Sequence, residues 1–210
     1  MYCPALFREE RPEVQHALIR DHPLGLLISH GPSGLLANLL PFILKTEGSP
    51  RGLLQAHMAR ANPQWRELDG QAVLVVFRGP DAYVSPSLYA TKKETGKVVP
   101  TWNYAMVQAR GQATIRDQGD WLTPQLHALT TSQEQSRAEP WAVSDAPPDY
   151  VEAQKRAIVG IEIEIAVLEG KWKVSQNQPE ANRRSVVAGL SMDDTTREMA
   201  ELVRAYGKLE

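Results

Sequence analysis

Cysteine and long apolar runs are scarce in this sequence of 210 residues, and each shortage excludes a class of protein. The single cysteine, Cys3, excludes an internal disulfide framework and a cysteine-based zinc site. No run approaches the roughly 18 apolar residues that a membrane-spanning helix needs. Residues Met1–Pro4 lack the basic and then apolar order of a signal peptide. We therefore expect a cytoplasmic protein without a membrane partner.

The sequence patterns of several enzyme classes are also missing. No nucleophile and base stand at a recognisable spacing, and no histidine pair has the spacing of metal ligands. A glycine-rich phosphate loop and a dinucleotide-binding fingerprint are absent as well. The sequence therefore predicts no metal site and identifies no catalytic residue.

Neither sign of charge is in large excess. The chain has 23 Lys and Arg against 25 Asp and Glu, a formal net charge of −2 and an isoelectric point near 6.2. DNA binding depends largely on cations that neutralise phosphates, so the chain as a whole does not attract nucleic acid. The longest basic cluster is only Lys92, Lys93 and Lys97. DNA stays among the candidate partners, without support from the charge.

Short apolar runs bounded by glycine, proline or serine predict strands joined by hairpins. They are Leu24–Ser29, Leu35–Leu44, Leu53–Met58, Ala72–Phe77, Ala82–Ser85, Tyr104–Ile115 and the alternating Ile161–Val167. We expect a turn at Gly79–Asp81 and a polar strand around Trp172–Ser175, after Gly170. Helical spacing or capping residues mark Arg11–Asp21, Asn62–Leu68, Trp121–Arg137, Tyr150–Val159 and Asp193–Tyr206. Six or seven short strands with peripheral helices predict a mainly β, α+β fold, a small antiparallel barrel.

The first candidate site is the polar stretch Gln55–Trp65. It places His57 and Arg60 at a strand end, directly before a helix that Asn62 caps and Pro63 begins. Free amides at a helix start, together with a guanidinium group, favour phosphate. The alternative is an exposed Arg60 beside a structural cap.

Three further stretches carry polar and aromatic side chains. Tyr83–Lys93 combines hydroxyls, two tyrosines and two lysines, or is a solvated loop. Val98–Tyr104 offers rings and hydrogen-bonding tips for a planar ligand, or is a packing corner filled by Trp102. Lys171–Asn177, with Arg183–Arg184 downstream, suggests an exposed final strand and a basic turn.

Several long segments of the sequence, in order, resemble the PaiB-like family. They are MYCP (1–4), HMARANPQW (57–65), FRGPDAYVSP (77–86), KK (92–93), VPTWNY (99–104) and KWKVSQN (171–177). The resemblance spans about residues 1–190, and members are described as FMN-binding negative transcriptional regulators. One departure is Leu88, where the family pattern has a tryptophan whose loss would loosen flavin stacking.

The resemblance implies an FMN-binding split β-barrel related to pyridoxamine-phosphate oxidase-like proteins, usually a homodimer with flavin sites at the interface. Residues 1–190 would form this single domain, and residues 191–210 a C-terminal helix that packs on it or on the dimer partner. Arg60 and one of Lys92 or Lys93 would meet the FMN phosphate. The implied cofactor-binding residues are His57, Met58, Ala59, Arg60, Asn62, Ser85, Tyr89, Lys92, Lys93, Thr101, Trp102, Asn103 and Tyr104. Those at 57–62 would line the ribityl chain, and those at 102–104 would lie near the isoalloxazine.

Three functions follow from the resemblance. The first is a flavin-dependent negative transcriptional regulator or sensor. The second is a flavin oxidoreductase that acts on a small substrate, in which the cofactor carries the redox chemistry. The third is a haem-binding or haem-degrading protein, since some split-barrel relatives handle haem and His57 would be the axial ligand.

Overall fold

Eight strands in one antiparallel sheet form the framework of the computed structural model, which describes residues 1–209. The strands are β1 (Arg8–Glu9), β2 (Leu24–Gly31), β3 (Gly34–Pro41), β4 (Ile43–Lys45), β5 (Leu53–Ala59), β6 (Ala72–Val84), β7 (Thr101–Arg116) and β8 (Ile158–Lys173). Their order across the sheet is β3-β2-β6-β7-β8-β5-β4, and β1 pairs with β8. The prediction of a mainly antiparallel β fold is confirmed, with one or two strands more than expected.

Helices occur between the strands and after the last of them. The α-helices of the described residues are α1 (Pro12–Asp21), α2 (Lys92–Thr95), α3 (Gly119–Glu134), α4 (Pro148–Arg156), α5 (Glu180–Leu190) and α6 (Arg197–Tyr206). Single turns of 3-10 helix occupy Ala5–Phe7, Pro63–Glu67, Pro86–Leu88, Val143–Asp145 and Asp194–Thr196. Within residues 1–209, no helix combines the length and the apolar character that crossing a membrane requires.

Two predicted interruptions of strands are wrong. The expected turn at Gly79–Asp81 lies inside β6, which is continuous. The pairing of β6 with β2 ends at Val76. Pro80 lies beyond it, so the N–H that proline lacks costs no hydrogen bond to β2. The expected break at Gly170 is also absent, since β8 continues through this residue. A glycine stands here because β1 approaches closely: a Cβ would lie 2.8 Å from the carbonyl oxygen of Glu9.

Two boundaries and one element also differ from the sequence prediction. The apolar run Leu35–Leu44 is divided into β3 and β4 at Phe42, which is buried and donates its N–H to Pro23. The helix expected up to Val159 ends at Arg156, and β8 begins two residues later. Helix α5 was expected to be a basic turn. It forms because Val186, Val187 and Leu190 recur at helical spacing and are buried.

The chain divides into two compact units. Unit 1 contains Met1–Gln15, Arg78–Val107 and the described part of Glu169–Glu210, and unit 2 contains His16–Phe77 and Gln108–Leu168. Strands β6, β7 and β8 contribute residues to both units. The single domain over residues 1–190 stays a prediction.

The core of unit 2 is built by strands that alternate inward and outward side chains. Phe42 and Phe77 pack edge to face, with ring centroids 5.6 Å apart. Gly25 leaves room for this pair, since a Cβ there would lie 2.7 Å from the Phe77 ring. Leu27 and Val75 are fully buried beside them. Aromatic packing therefore fixes where β2 approaches β6.

In unit 1, a buried carboxylate joins the N-terminal segment to the last helix. Arg11 donates from Nε and Nη2 to Glu9 at 2.9 and 2.6 Å, and the Tyr206 hydroxyl donates to the same carboxylate. Burial alone would raise the pKa of Glu9, but these hydrogen bonds outweigh it and lower that pKa to about 2. The Tyr206 ring stacks on Trp172 with centroids 6.3 Å apart. Helix α6 is therefore held at both the carboxylate and the ring.

We expect this carboxylate to govern the acid stability of the protein. Because its folded-state pKa lies below the ordinary 4.5, its contribution is complete above about pH 4.5 and is lost as the pH falls towards 2. Glu9→Gln should lower the free energy of unfolding at pH 7 by roughly 2–3 kcal/mol and flatten its pH dependence below 4.5. Urea unfolding between pH 7 and pH 2.5 measures both, with the exposed Glu10→Gln as control. An unchanged slope in Glu9→Gln would refute this assignment.

Candidate functional site

Arg60, predicted to meet a phosphate, is held by other groups of unit 2. Its Nε donates to the carbonyl of Arg156 at 2.8 Å, and its Nη2 donates to the carbonyl of Ile158 at 3.0 Å. Both terminal nitrogens also pair with Asp117, one of them at 3.1 Å. Hydrogen bonds from Arg60 lower the pKa of Asp117. The guanidinium group thus connects the end of β5 to α4, to β8 and to the residue after β7. Its contact with phosphate stays a prediction.

The residues after Arg60 also have partners inside unit 2. Asn62 caps the 3-10 turn as predicted, since its Oδ1 accepts from the backbone N–H of Gln64 at 3.0 Å. Gln64 is fully buried. It donates to the Ser29 hydroxyl at 2.9 Å and accepts from the Asn38 amide at 2.8 Å. This segment therefore joins β2 and β3 to the chain that follows β5.

The last three residues of β5 are His57, Met58 and Ala59, whose side chains point to alternate faces of the strand. His57 Nδ1 lies 2.9 Å from Oε1 of Gln125 in α3, and Gln125 is almost completely buried. Met58 is buried on the opposite face, and Ala59 is exposed. The haem-ligand role of His57 stays a prediction. Among residues 1–209, no group of three His, Cys, Asp or Glu side chains could hold a metal ion.

Unit 1 contains a cavity of about 190 Å³. Three of the predicted cofactor residues line it: Tyr89, Thr101 and Asn103. The other lining residues, which were not predicted as cofactor ligands, are Lys97, Val98, Val99, Lys173, Ser175, Asn177 and Gln178. Burial raises the pKa of the Tyr89 phenol, so this hydroxyl stays protonated. The cavity therefore presents ammonium, hydroxyl and amide groups together.

Lys173 is the cation most enclosed by this cavity. Its Nζ donates to the Thr101 hydroxyl and, at 2.7 Å, to the carbonyl oxygen of Trp102. Among residues 1–209, no carboxylate forms an ion pair with it. Burial, and then the charge of Lys171, lower the pKa of Lys173. The cavity thus holds a positive charge that the protein itself does not neutralise.

Ser175 closes the cavity in an unusual backbone conformation. Its φ is +65°, in the left-handed region that non-glycine residues rarely adopt. The Gln176 side chain spans the turn, accepting from the N–H of Val174 at 2.8 Å and donating to the carbonyl of Trp172 at 2.5 Å. The Ser175 hydroxyl accepts from the Asn103 amide at 2.9 Å. These bonds hold a strained residue in place, at a cost of order 1–3 kcal/mol.

An exposed aromatic surface lies beside the predicted residues of β7. Trp102 and Tyr83 are each about half exposed, and their ring centroids are 5.8 Å apart. Tyr104 follows Trp102 on the same face of β7, and Lys171 Nζ lies 5.4 Å from its ring centroid. Rings with free faces can take up a planar ligand. Trp102 therefore does not fill a packing corner.

The lysines of α2 are free of ion pairs within the described residues. Lys92 and Lys93 are both exposed, and α2 ends at Gly96 with a φ of +63°. Just before α2, the Ser85 hydroxyl accepts from the N–H of Ser87 and caps the turn Pro86–Leu88. This segment therefore carries two exposed cations, and a hydroxyl that caps the preceding turn.

Leu88, the departure from the family pattern, has a packing role. A Cβ on Gly189 of α5 would lie 2.4 Å from a methyl carbon of Leu88, so the two residues are in close contact. Leu88 thus secures α5 to the turn before α2.

The donor set of unit 1 fits FMN. The phosphate of FMN requires cations, its ribityl chain requires polar partners, and its isoalloxazine requires an apolar or aromatic surface. Unit 1 supplies unpaired lysines at 92 and 93, hydroxyls at Ser85 and Thr101, and the exposed Trp102 ring. The Arg60 guanidinium of unit 2 fits this demand less well, because Asp117 and two carbonyls already occupy it.

Sequence comparison finds related proteins over nearly the whole chain. The model of the family described as "Putative FMN-binding domain" matches residues 1–167. An uncharacterized protein of Emericella nidulans is 37% identical, and the alignment covers 100% of this chain and 99% of that protein. Protease synthase and sporulation protein PAI 2 of Bacillus subtilis is 29% identical, with 97% and 96% covered. The resemblance to the PaiB-like family and the FMN cofactor are confirmed.

Structure comparison supports the fold. The FAD and heme binding protein of Mycobacterium smegmatis superposes with a TM-score of 0.59 at 18% sequence identity. The superposition covers 87% of this chain and 80% of that one. Such a low identity shows a shared fold and nothing about ligands. The predicted fold class, the antiparallel split barrel with peripheral helices, is confirmed.

Sequence reasoning missed part of the cavity. Lys173 and Ser175 belong to the segment KWKVSQN, which the sequence suggested was an exposed strand. One sequence signal did point to a functional role. The segment is among those that resemble the family, and its polar residues form no helix cap or hairpin turn that would explain them. Lys97 gave no signal of a cavity, because a short lysine cluster in a loop is usually solvated.

We expect Arg60 and Asp117 to act as one structural unit. Arg60→Ala should lower the melting temperature more than Asp117→Ala, because Arg60 also donates to two backbone carbonyls. The double variant should lose little more than Arg60→Ala alone, because Asp117 then has no contact with Arg60 left to lose. Thermal unfolding of the three variants measures this coupling. The exposed pair Arg78 and Asp81, treated in the same way, should show little effect. Additive losses at Arg60 and Asp117 would contradict the assignment.

Proposed function

The chain belongs to the family described as "Putative FMN-binding domain", and from this premise we propose that it is a homodimeric, flavin-dependent regulator or sensor. When bound, FMN supplies a ring system that can accept and release electrons. The chain supplies the groups that bind and orient FMN. The observation that carries this proposal is the combination of unpaired lysines and an exposed aromatic surface within unit 1.

We assign the phosphate of FMN to Lys92 and Lys93. An exposed ammonium without a carboxylate partner gives up no existing ion pair when it binds an anion, unlike the engaged Arg60. Trp102 and Tyr104 would contact the isoalloxazine through their ring faces. Ser85 would reach the ribityl chain. The remaining predicted contacts, those at 57–62 in unit 2 and Tyr89, Thr101 and Asn103 in unit 1, stay predictions.

An apolar sheet face in unit 2 supports the homodimer. Leu26 stands opposite Leu39 across the β2–β3 hairpin, and the paired residues of a hairpin share one face. Leu35 and Leu39 are 75% and 59% exposed on the edge strand β3. An open depression of about 640 Å³ on this side is lined mainly by apolar residues, among them Ile28 and Leu74. Contiguous exposed apolar surface of this kind marks protein interfaces.

A regulator of this type would act without direct DNA readout. The net charge of −2 does not neutralise phosphates. The sequence itself predicts no helix-turn-helix with a basic recognition face. The occupancy or the redox state of bound FMN is therefore the signal that we propose it transmits.

The exposed Tyr83–Trp102 pair favours a second candidate function, a flavin oxidoreductase. Both rings keep about half of their surface in solvent, so a second planar molecule can reach this surface. A reductant such as NADH or NADPH, added to the FMN-loaded protein in the binding experiment below, separates the two functions. Rapid loss of the flavin absorption band favours the oxidoreductase, and a stable band favours the sensor.

We expect the α2 lysines to determine the affinity for FMN. The double variant Lys92→Ala and Lys93→Ala should bind FMN about 10- to 100-fold more weakly, because charge-assisted hydrogen bonds to the phosphate are lost. Its affinity for riboflavin, which lacks the phosphate, should not change. Fluorescence titration of dialysed protein measures both affinities. The double variant Lys45→Ala and Lys208→Ala, which removes the same charge elsewhere, serves as control. Equal loss of riboflavin and FMN binding would refute the phosphate assignment.

We expect the apolar face to hold two copies together. Leu39→Asp places a charge in the proposed interface and should convert the dimer to a monomer, because burying an unpaired carboxylate is costly. Light scattering coupled to size-exclusion chromatography measures the mass. Leu6→Asp changes an equally exposed leucine of unit 1 and should leave the dimer intact. A Leu39→Asp variant that remains dimeric would remove this face from the interface.

A further inference from the structure

The cavity of unit 1 contains polar groups that the proposed FMN contacts leave unused. We propose that this cavity binds the oxyanion group of a small ligand other than FMN, a phosphate ester or a carboxylate, through Lys173 and Ser175. The inference goes beyond the proposed function, because it adds a second ligand to the protein. It rests on three observations: an uncompensated charge, a turn held in a strained conformation, and the size of the cavity.

The charge is that of the Lys173 ammonium. Two of its three N–H groups donate to the Thr101 hydroxyl and to the carbonyl of Trp102, both uncharged acceptors. No carboxylate of the described residues pairs with it, although removing an ammonium from water is costly without a counter-charge. Burial lowers the pKa of this group, as expected for a cation that lacks such a partner. An anion in the cavity would supply the missing charge.

The turn that carries Ser175 is built to hold one conformation. Ser175 has a left-handed backbone and only 3% of its surface is exposed. The Gln176 side chain reaches back across it to the N–H of Val174 and the carbonyl of Trp172. Asn103, which is 1% exposed, donates to the Ser175 hydroxyl. Strained residues that the surrounding structure over-determines cluster at ligand clamps. Two buried polar side chains thus form a fixed floor beside the Lys173 ammonium.

The size of the cavity limits its ligand. At about 190 Å³ it is smaller than the roughly 300–1,000 Å³ typical of sites that enclose a whole cofactor-sized molecule. The isoalloxazine and ribityl chain of FMN therefore need surface outside it, such as the exposed ring of Trp102. A free phosphate, or the anionic end of a small metabolite, matches both the volume and the charge.

Calorimetric titration of the FMN-loaded protein with inorganic phosphate, and in a second series with acetate, tests the proposal. We expect one phosphate per chain to bind without releasing FMN, and Lys173→Met to weaken this binding at least tenfold. Lys45→Met removes the same charge from a strand of unit 2 and should change the affinity less than twofold. The flavin absorption band retained after dialysis reports separately on the proposed function. Phosphate binding to a chain that retains no FMN would refute that function and leave the anion site standing.

Two results would overturn the proposal. The first is phosphate that displaces FMN, together with a Lys173→Met variant that loses FMN affinity to the same degree, because the cavity would then hold the phosphate of FMN itself. The second is the absence of binding by phosphate and acetate alike. If Lys173→Met does not fold, wild-type crystals soaked in tungstate decide the question. We expect anomalous density within hydrogen-bond distance of Lys173 Nζ, and density elsewhere alone would contradict the proposal.

Discussion

The structure depends on three long neighbouring strands whose side chains alternate between two faces within each unit. Strands β6, β7 and β8 have 13, 16 and 16 residues, and each contributes to both compact units. Strict alternation fixes which residues share a face, so Trp102 and Tyr104 lie together on β7 while Asn103 is directed to the other side. The same rule applied to β8 places Lys171 and Lys173 on one face. Strand alternation therefore positions Trp102, Tyr104 and Lys173, whereas Lys92, Lys93 and Ser175 lie outside the strands.

Much of the fold could be predicted because local chemistry and tertiary structure agree. Asn62 and Pro63 begin a helical turn, and the valine-rich run from Ala72 forms a strand, as their sequences indicate. The errors occurred where tertiary contacts override local signals. Pro80 normally marks a turn, yet β6 continues through it because no β2 partner stands there. Gly170 normally marks a break, yet it is needed so that β1 can approach β8.

At the candidate site, too, tertiary contacts limit what the sequence can predict. The sequence identified Tyr89, Thr101 and Asn103, because polar and aromatic residues beside a strand suggest a ligand. Residue chemistry alone did not indicate Lys173, which is distant in sequence from Thr101 and reaches it only through the folding of β7 and β8. Conversely, the sequence around Arg60 is typical of an anion-binding site, but the fold pairs Arg60 with Asp117. Sequence spacing does not reveal whether a charge is already paired.

In the proposed function, FMN binds at the exposed aromatic surface of unit 1, against Trp102. Flavin fluorescence tests it most directly, because a stacked aromatic ring quenches the emission of the isoalloxazine. We expect FMN bound to the wild-type protein to emit weakly, and FMN bound to Trp102→Leu, at equal occupancy, to emit strongly. Equal emission from FMN bound to the two proteins would contradict the claim.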